Sequence, residues 1–196
     1  KSKNYGGQHS SQKDSLSDEV FEQFLNASVA TAVSIAHSDA HFLYWADAKY
    51  LGTLQSLYKK YDITFRRLLL WVKNNQNVTP QVAFNRVHEP AVYGTIGKPH
   101  LNKAYKNANE ILNQDVSSGN QLHDEILDML DLWLVKRDDV QSYLHPTQKP
   151  VGLSEKPLRR CTAPGHIVFS GFGGSGSDLI ACEQLGRRWY GVELDP

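Results

Sequence analysis

A glycine-rich turn close to the C-terminus is the clearest candidate for a binding site. Residues 171–176 read GFGGSG, which satisfies the pattern GxGxxG. Glycines permit positive φ angles and let the main chain approach a ligand closely, and a helix after the turn offers its N-terminal amides. Glu193 stands at the end of the next apolar run, where a carboxylate accepts hydrogen bonds from both hydroxyls of a ribose. These features predict a nucleotide-type site, and a tight turn whose glycines serve packing alone is the alternative.

The turn requires a strand before it and a helix and a strand after it. Residues 166–170 (HIVFS) predict the first strand, residues 178–185 predict a helix ended by Gly186, and residues 189–194 (WYGVEL) predict the second strand. An enzyme that uses NAD normally places this unit early and follows it with more strands. Here the other strands are expected before the turn, in a circularly permuted order, which disfavours a dehydrogenase.

The rest of the chain also alternates between helical and extended patterns. Apolar spacing predicts helices over residues 17–37, 49–61, 109–137 and 154–161, and short apolar runs predict strands over residues 41–46, 63–72 and 89–93, after a polar loop over residues 1–16. Alternation of this kind predicts an α/β fold: a Rossmann-like, mostly parallel sheet with helices on both faces.

Length and composition narrow the class of protein. The 196 residues, 40% of them hydrophobic, are enough for one domain with a sizeable core. Cys161 and Cys182 form no CxxC pair, which argues against a zinc site and against a disulfide-stapled secreted domain. No apolar run approaches the roughly 18 residues that a membrane span needs, and no signal peptide is apparent. We therefore expect a soluble, cytoplasmic protein without a metal.

Two uncommon motifs occur together near the C-terminus. Residues 145–150 read HPTQKP, and residues 172–176 form an FxGxG turn that is followed by GVELDP at 191–196. In these segments the chain resembles the DNA amino-methyltransferases that use S-adenosylmethionine, in the permuted arrangement called the β class. Residues 70–74 (LWVKN) also resemble the family's strand ending in W-x-K, and residues 84–89 (FNRVHE) resemble its R-x-HE segment.

The resemblance covers nearly the whole chain as one methyltransferase domain. It is weakest over about residues 97–144, where the family places variable target-recognition material, and residues 145–196 correspond to the cofactor-binding part. It implies that S-adenosylmethionine lies against three groups of residues: Pro146, Thr147, Gln148 and Lys149 along the methionine end, Phe172, Gly173, Ser175 and Gly176 beneath the cofactor, and Glu193 at the ribose.

One of the cofactor-binding positions departs from the family pattern. Ser170 and Gly171 stand where many relatives have Asp-Pro. A carboxylate that could meet the ammonium group of the cofactor is therefore absent from that position, and weaker cofactor binding is the expected consequence.

The family's catalytic tetrad, DPPY or SPPY, occurs nowhere in the chain. It would precede a loop like residues 1–16, so we expect the sequence to be a fragment, and no catalytic residue is assigned. The implied reaction is methyl transfer to an exocyclic amino group, with adenine N6 favoured and cytosine N4 second. One alternative is a non-catalytic DNA- or nucleotide-binding remnant, such as a degenerate phage or prophage methyltransferase domain. The other is an NAD-dependent oxidoreductase.

The implied partner is double-stranded DNA with a flipped target base, because methylation chemistry needs the base outside the stack. The formal net charge is zero, but residues 49–106 hold 10 basic and 2 acidic side chains. This basic segment predicts phosphate contacts through five side chains, and an ordinary solvated surface is the alternative. The five are Lys73, Arg86, Lys98, Lys103 and Lys106.

Overall fold

The computed structural model describes residues 16–77, 81–102, 130–137 and 148–194. The helices are α1 (Asp18–Ile35), α2 (Leu51–Lys60), α3 (Val151–Cys161) and α4 (Ser177–Leu185), and a 3-10 turn over Ala48–Tyr50 precedes α2. The strands are β1 (Ala40–Trp45), β2 (Thr64–Asn77), β3 (Arg86–Ile96), β4 (Leu132–Leu134), β5 (Ile167–Ser170) and β6 (Arg188–Gly191). Within these ranges, no helix combines the length and the apolar character needed to cross a bilayer.

The strands form an α/β structure, but the prediction of a mostly parallel sheet is wrong. The larger sheet has the order β1-β3-β2-β4, in which β3 runs antiparallel to both β1 and β2, and only β2 and β4 are parallel. The connection from β2 to β3 spans residues 78–85. A parallel pair needs a crossover of a dozen or more residues, usually a helix, so this short connection leaves the antiparallel hairpin as the outcome.

Helices α1 and α2 pack on the β1–β3 part of this sheet. Ser17 caps α1 by accepting a hydrogen bond from the Val20 amide at 3.4 Å, which confirms the predicted start of the helix. The core between the layers contains fully buried Val29, Leu54 and Tyr58. The burial of these side chains, each contributing about 1.5–3 kcal/mol, fixes the two helices on the sheet.

A second core surrounds three tryptophans near β4. Trp71 and Trp133 are buried, and both rings meet Trp45 edge-on, with centroid distances of 6.4 Å and 5.9 Å. The helix predicted over residues 109–137 is wrong at Leu132–Leu134, which pairs with β2 as β4. A short apolar run fits a helical and an extended pattern equally well, so the available edge of β2 decides between them.

The C-terminal unit has the predicted order of strand, glycine-rich turn, helix and strand, although the second strand ends at Gly191 and not at residue 194. β5 and β6 pair in parallel, with α4 between them in sequence and the glycine-rich turn between β5 and α4. Ala181 and Cys182 of α4 are fully buried against Leu158 of α3. Gly186 ends α4 with φ 69°, a conformation that suits glycine. Residues 1–15 and most of the segment 109–137 lie outside the described residues.

Candidate functional site

The glycine-rich turn is closed by its own backbone hydrogen bonds. The Gly173 amide donates to the Val192 carbonyl at 2.8 Å, and the Gly176 amide donates to the Gly173 carbonyl at 2.9 Å. Gly174 and Gly176 have φ angles of 51° and 77°, in the left-handed region where a side chain is strained. The path of the main chain thus favours glycine at these two positions.

The indole ring of Trp189 forms the floor of the turn. A Cβ atom at Gly191 would lie 1.9 Å from Cζ2 of this ring, so no other residue fits there without displacing the indole. A Cβ atom at Gly173 would lie 3.4 Å from the Val192 carbonyl oxygen and 3.7 Å from the ring. The turn therefore lies close on the end of β6, and its glycines leave the opposite side open.

Glu193 is joined to the turn, as its place after β6 predicts. Its carboxylate accepts hydrogen bonds from the Gly174 amide at 2.6 Å and from the Leu194 amide at 3.0 Å. A carboxylate accepts several hydrogen bonds at once, so these two bonds orient it without preventing further donors from binding.

A cleft of about 320 Å³ opens above the turn. This volume falls at the lower end of the range of small-molecule sites, about 300–1,000 Å³. The lining residues are Gln148, Lys149, Phe172, Gly173, Gly174, Ser175, Ser177, Asp178 and Glu193. The structure thus brings together six of the ten positions predicted to bind a cofactor. Ser170 and Gly176 are not among the lining residues, and Pro146 and Thr147 lie outside the described residues.

The segment that carries Lys149 is attached to the turn by a serine of α4. The Ser177 hydroxyl donates to the Lys149 carbonyl at 2.5 Å and lies 3.1 Å from the Ser175 hydroxyl. The Lys149 ammonium lies 3.7 Å from a carboxylate oxygen of Glu89, and the other oxygen accepts from Lys73 at 3.0 Å. The W-x-K and R-x-HE segments of the sequence therefore meet the HPTQKP segment at one carboxylate.

Asp178 is a cleft residue that the sequence analysis did not select. Its carboxylate accepts hydrogen bonds from Ser170 at 2.9 Å and from Ser154 at 2.5 Å. An acidic residue in the first turn of the helix after a GxGxxG motif is the sequence signal that could have identified it.

The basic segment of residues 49–106 includes one lysine that is buried. Lys73 has a side chain that is only 4% exposed and paired with Glu89, so it does not offer a surface phosphate contact. Its position in β2, next to the buried Trp71, explains this correction. Arg86 is half-exposed and pairs with Asp47 at 2.8 Å, and Lys98 is exposed. Lys103 and Lys106 lie outside the described residues.

Two neighbouring groups, Cys161 of α3 and Tyr93 of β3, have raised pKa values. Burial raises the pKa of the Cys161 thiol to about 11, and the charge of Arg160 opposes this effect. Burial also raises the pKa of Tyr93, beside Cys161, to about 12. In the part of the chain that the structure describes, no group of three or more His, Cys, Asp or Glu residues is placed to hold a metal ion.

Known proteins resemble the chain in sequence and in structure. The Type II methyltransferase M2.DpnII of Streptococcus pneumoniae is 34% identical over 70 residues, which are 34% of this chain and 26% of that protein. The segments that match curated relatives span about a quarter of the relatives' length.

Two solved structures share the α/β fold at low sequence identity. The M1.HpyAVI–SAM complex is 20% identical with a TM-score of 0.63, over 87% of this chain and 76% of that one. The PvuII DNA methyltransferase, described as cytosine-N4-specific, is 14% identical with a TM-score of 0.66, over 94% of this chain and 71% of that one.

A family profile described as DNA methylase, of the N6 and N4 type, matches residues 2–196. This match extends over both sheets and includes the glycine-rich turn, the cleft and Glu193. The chain therefore belongs to the DNA methylase family of N6 and N4 amino-methyltransferases.

Proposed function

We propose that the chain binds S-adenosylmethionine in the cleft above the glycine-rich turn and serves the transfer of its methyl group to an exocyclic amino group of a DNA base. The observation that carries the proposal is the turn itself, with a carboxylate at the end of the neighbouring parallel strand. Membership of the DNA methylase family and the M1.HpyAVI–SAM structure support the choice of this cofactor over NAD.

The residues of the cleft fit an adenosyl group and an amino-acid group. Gly173 lets the turn lie close on the end of β6, since a Cβ atom there would lie 3.4 Å from the Val192 carbonyl oxygen, and the cleft opens above the turn. Glu193 offers acceptors for the two ribose hydroxyls, and Phe172, which is 53% exposed, offers an apolar surface. Gln148 and Lys149 form the polar wall at which the methionine end is expected.

When bound, the cofactor supplies an electrophilic methyl group on a sulfonium. The contribution of this chain is to hold the donor in one orientation and to exclude water from it. Ser170 and Gly176 contribute indirectly, through the Asp178 side chain and through the start of α4. Pro146 and Thr147 are proposed to extend the wall formed by Gln148 and Lys149.

We also propose the permuted order of the elements, and one methyltransferase domain with variable material over about residues 97–144.

Adenine N6 is the proposed target, and cytosine N4 is the second candidate. The PvuII enzyme, which shares the fold, is described as specific for cytosine N4, so this second target is supported by a named neighbour. The proposed partner is duplex DNA with a flipped base. A restriction-modification role is consistent with the similarity to M2.DpnII.

Cofactor binding is tested by titration calorimetry with S-adenosylhomocysteine, and with NAD in parallel. The wild-type chain is expected to bind S-adenosylhomocysteine but not NAD. Glu193→Gln should weaken binding about 10- to 100-fold, because hydrogen bonds to a charged acceptor become hydrogen bonds to a neutral one. Glu183→Gln, the same change at an exposed position of α4, is the matched control and should have no effect. Binding of NAD alone would overturn the proposal in favour of an oxidoreductase.

The DNA contact is tested by the salt dependence of duplex binding. Lys98 and Arg86 are the two predicted phosphate contacts that the structure leaves exposed or half-exposed. Lys98→Gln should reduce the slope of log K against log salt by about one. An affinity that barely changes between low and moderate salt would reject the phosphate role. Duplex binding without any methyl transfer to adenine or cytosine would support the non-catalytic alternative.

A further inference from the structure

We propose that Asp178 binds the α-ammonium group of the cofactor's methionine moiety. This inference rests on the proposed function, because it assigns one group of that ligand to one side chain of the cleft. It also supplies the carboxylate that position 170, occupied by Ser170, does not provide.

Three elements position the Asp178 carboxylate at the cleft. Asp178 lies in the first turn of α4 and lines the cleft. One of its oxygens accepts from Ser154 of α3 at 2.5 Å, and the other accepts from Ser170 at the end of β5 at 2.9 Å. Both donors are neutral hydroxyls, so they orient the carboxylate while leaving its negative charge unbalanced.

No cationic side chain of the described residues balances this charge. None of the ion pairs within residues 16–77, 81–102, 130–137 and 148–194 includes Asp178. Lys149, the lysine that lines the same cleft, has its ammonium directed to Glu89 at 3.7 Å. A half-buried carboxylate without a cation is stabilised by a positively charged donor, and the amides at the start of α4 supply only part of this stabilisation.

The position of Asp178 favours the methionine end of the ligand over the ribose. Its neighbour Ser177 donates to the Lys149 carbonyl, so Asp178 lies at the Gln148–Lys149 end of the cleft. The ribose is assigned to Glu193, which follows the other strand of the unit. Between the two cationic groups of the cofactor, the sulfonium has no N–H, whereas the ammonium has three. A carboxylate that only accepts hydrogen bonds therefore matches the ammonium.

The inference is tested with two ligands that differ in the amino-acid moiety. S-adenosylhomocysteine carries the ammonium, and 5′-methylthioadenosine has the same adenosine and thioether without it. Asp178→Asn should weaken binding of S-adenosylhomocysteine about 10- to 100-fold and change binding of 5′-methylthioadenosine by less than about twofold. Glu193→Gln, the comparison variant, should weaken both ligands, because both contain the ribose.

A second variant separates a binding role from a structural one. Ser170→Asp combined with Asp178→Ser keeps one carboxylate and one hydroxyl across the same hydrogen bond. This double variant should restore the wild-type ratio of the two affinities to within about threefold, and it provides the test if Asp178→Asn does not fold.

The result that overturns the inference is an unchanged ratio of the two affinities in Asp178→Asn, whether both ligands bind equally well or both bind more weakly. If Asp178→Asn does not fold, the double variant decides. The inference is then overturned when the ratio of the affinity for S-adenosylhomocysteine to that for 5′-methylthioadenosine is at least tenfold lower in the double variant than in the wild-type chain. Failure of the wild-type chain to bind either ligand would instead overturn the proposed function, and this inference with it.

Discussion

The carboxylate of Glu89 forms ion pairs with two lysines, Lys73 and Lys149, and its removal gives a strong test of the structure. Glu89→Gln leaves the Lys73 ammonium, whose side chain is 4% exposed, without its charged partner at 3.0 Å. Removing one partner of a fully buried ion pair costs about 3–5 kcal/mol. The Glu89 side chain is 36% exposed, so water replaces part of the lost interaction. We therefore expect the free energy of unfolding to fall by about 2 kcal/mol.

Urea unfolding at neutral pH, followed by tryptophan fluorescence, measures this loss as a shift of the midpoint with an unchanged slope. Glu155→Gln is the matched control, because Glu155 pairs with Arg159 one turn away on α3 at 2.8 Å. A helical surface pair of this kind contributes only about 0.2–0.5 kcal/mol. The combined variant Lys73→Met and Glu89→Gln should lose less stability than the sum of the two single changes, since it leaves no unpaired ammonium. If Glu89→Gln and the control differ by less than about 0.5 kcal/mol, the reasoning from the buried pair is refuted.

Two further predictions concern the packing of the first core and the behaviour of the chain at high pH. Gly94→Ala places a Cβ atom 2.6 Å from the fully buried ring of Tyr58 and should lower the free energy of unfolding by about 2 kcal/mol. Gly52→Ala, whose Cβ atom would have nothing within 4 Å, should raise the free energy of unfolding by about 0.5 kcal/mol. Equal effects of the two variants in urea unfolding would contradict this prediction. The pKa of the Cys161 thiol is raised to about 11 by burial in the folded chain, whereas in the unfolded chain the thiol has its ordinary pKa of 9.0. The stability contributed by the neutral thiol is therefore complete below about pH 9 and is lost as the pH rises to about 11, a decline that Cys161→Ala should reduce in unfolding measured across this range.

The elements with strong local signals were predictable from the sequence. Ser17 and the apolar spacing after it define α1, and the run of strand, glycine turn, helix and Gly186 defines the C-terminal unit with its cleft. In these segments the pattern of a single element, with its cap or its turn residue, contains the information that the fold uses.

The features that depend on distant partners were not predictable. The direction of β3 follows from its pairing with β1 and β2, and β4 exists because an edge of β2 accepts it. Lys73 is a basic residue in sequence and a buried ion-pair partner in the structure, because Glu89 of the neighbouring strand β3 accepts a hydrogen bond from its ammonium at 3.0 Å. The place of Asp178 in the first turn of α4 is a local signal, but the orientation of its carboxylate depends on serines of two other elements, which no local pattern reveals.

The hydrogen bond from the Gly174 amide to Glu193 has a consequence for ligand affinity. This hydrogen bond joins the glycine-rich turn to Glu193, after the end of β6, in the ligand-free chain, so the turn is preorganised for binding. Ligand binding therefore carries no entropic cost for ordering this backbone. In a flexible loop, that cost would make the free energy of association less favourable. Calorimetry on this chain should accordingly show little of the heat and entropy signature of coupled folding when the cleft fills.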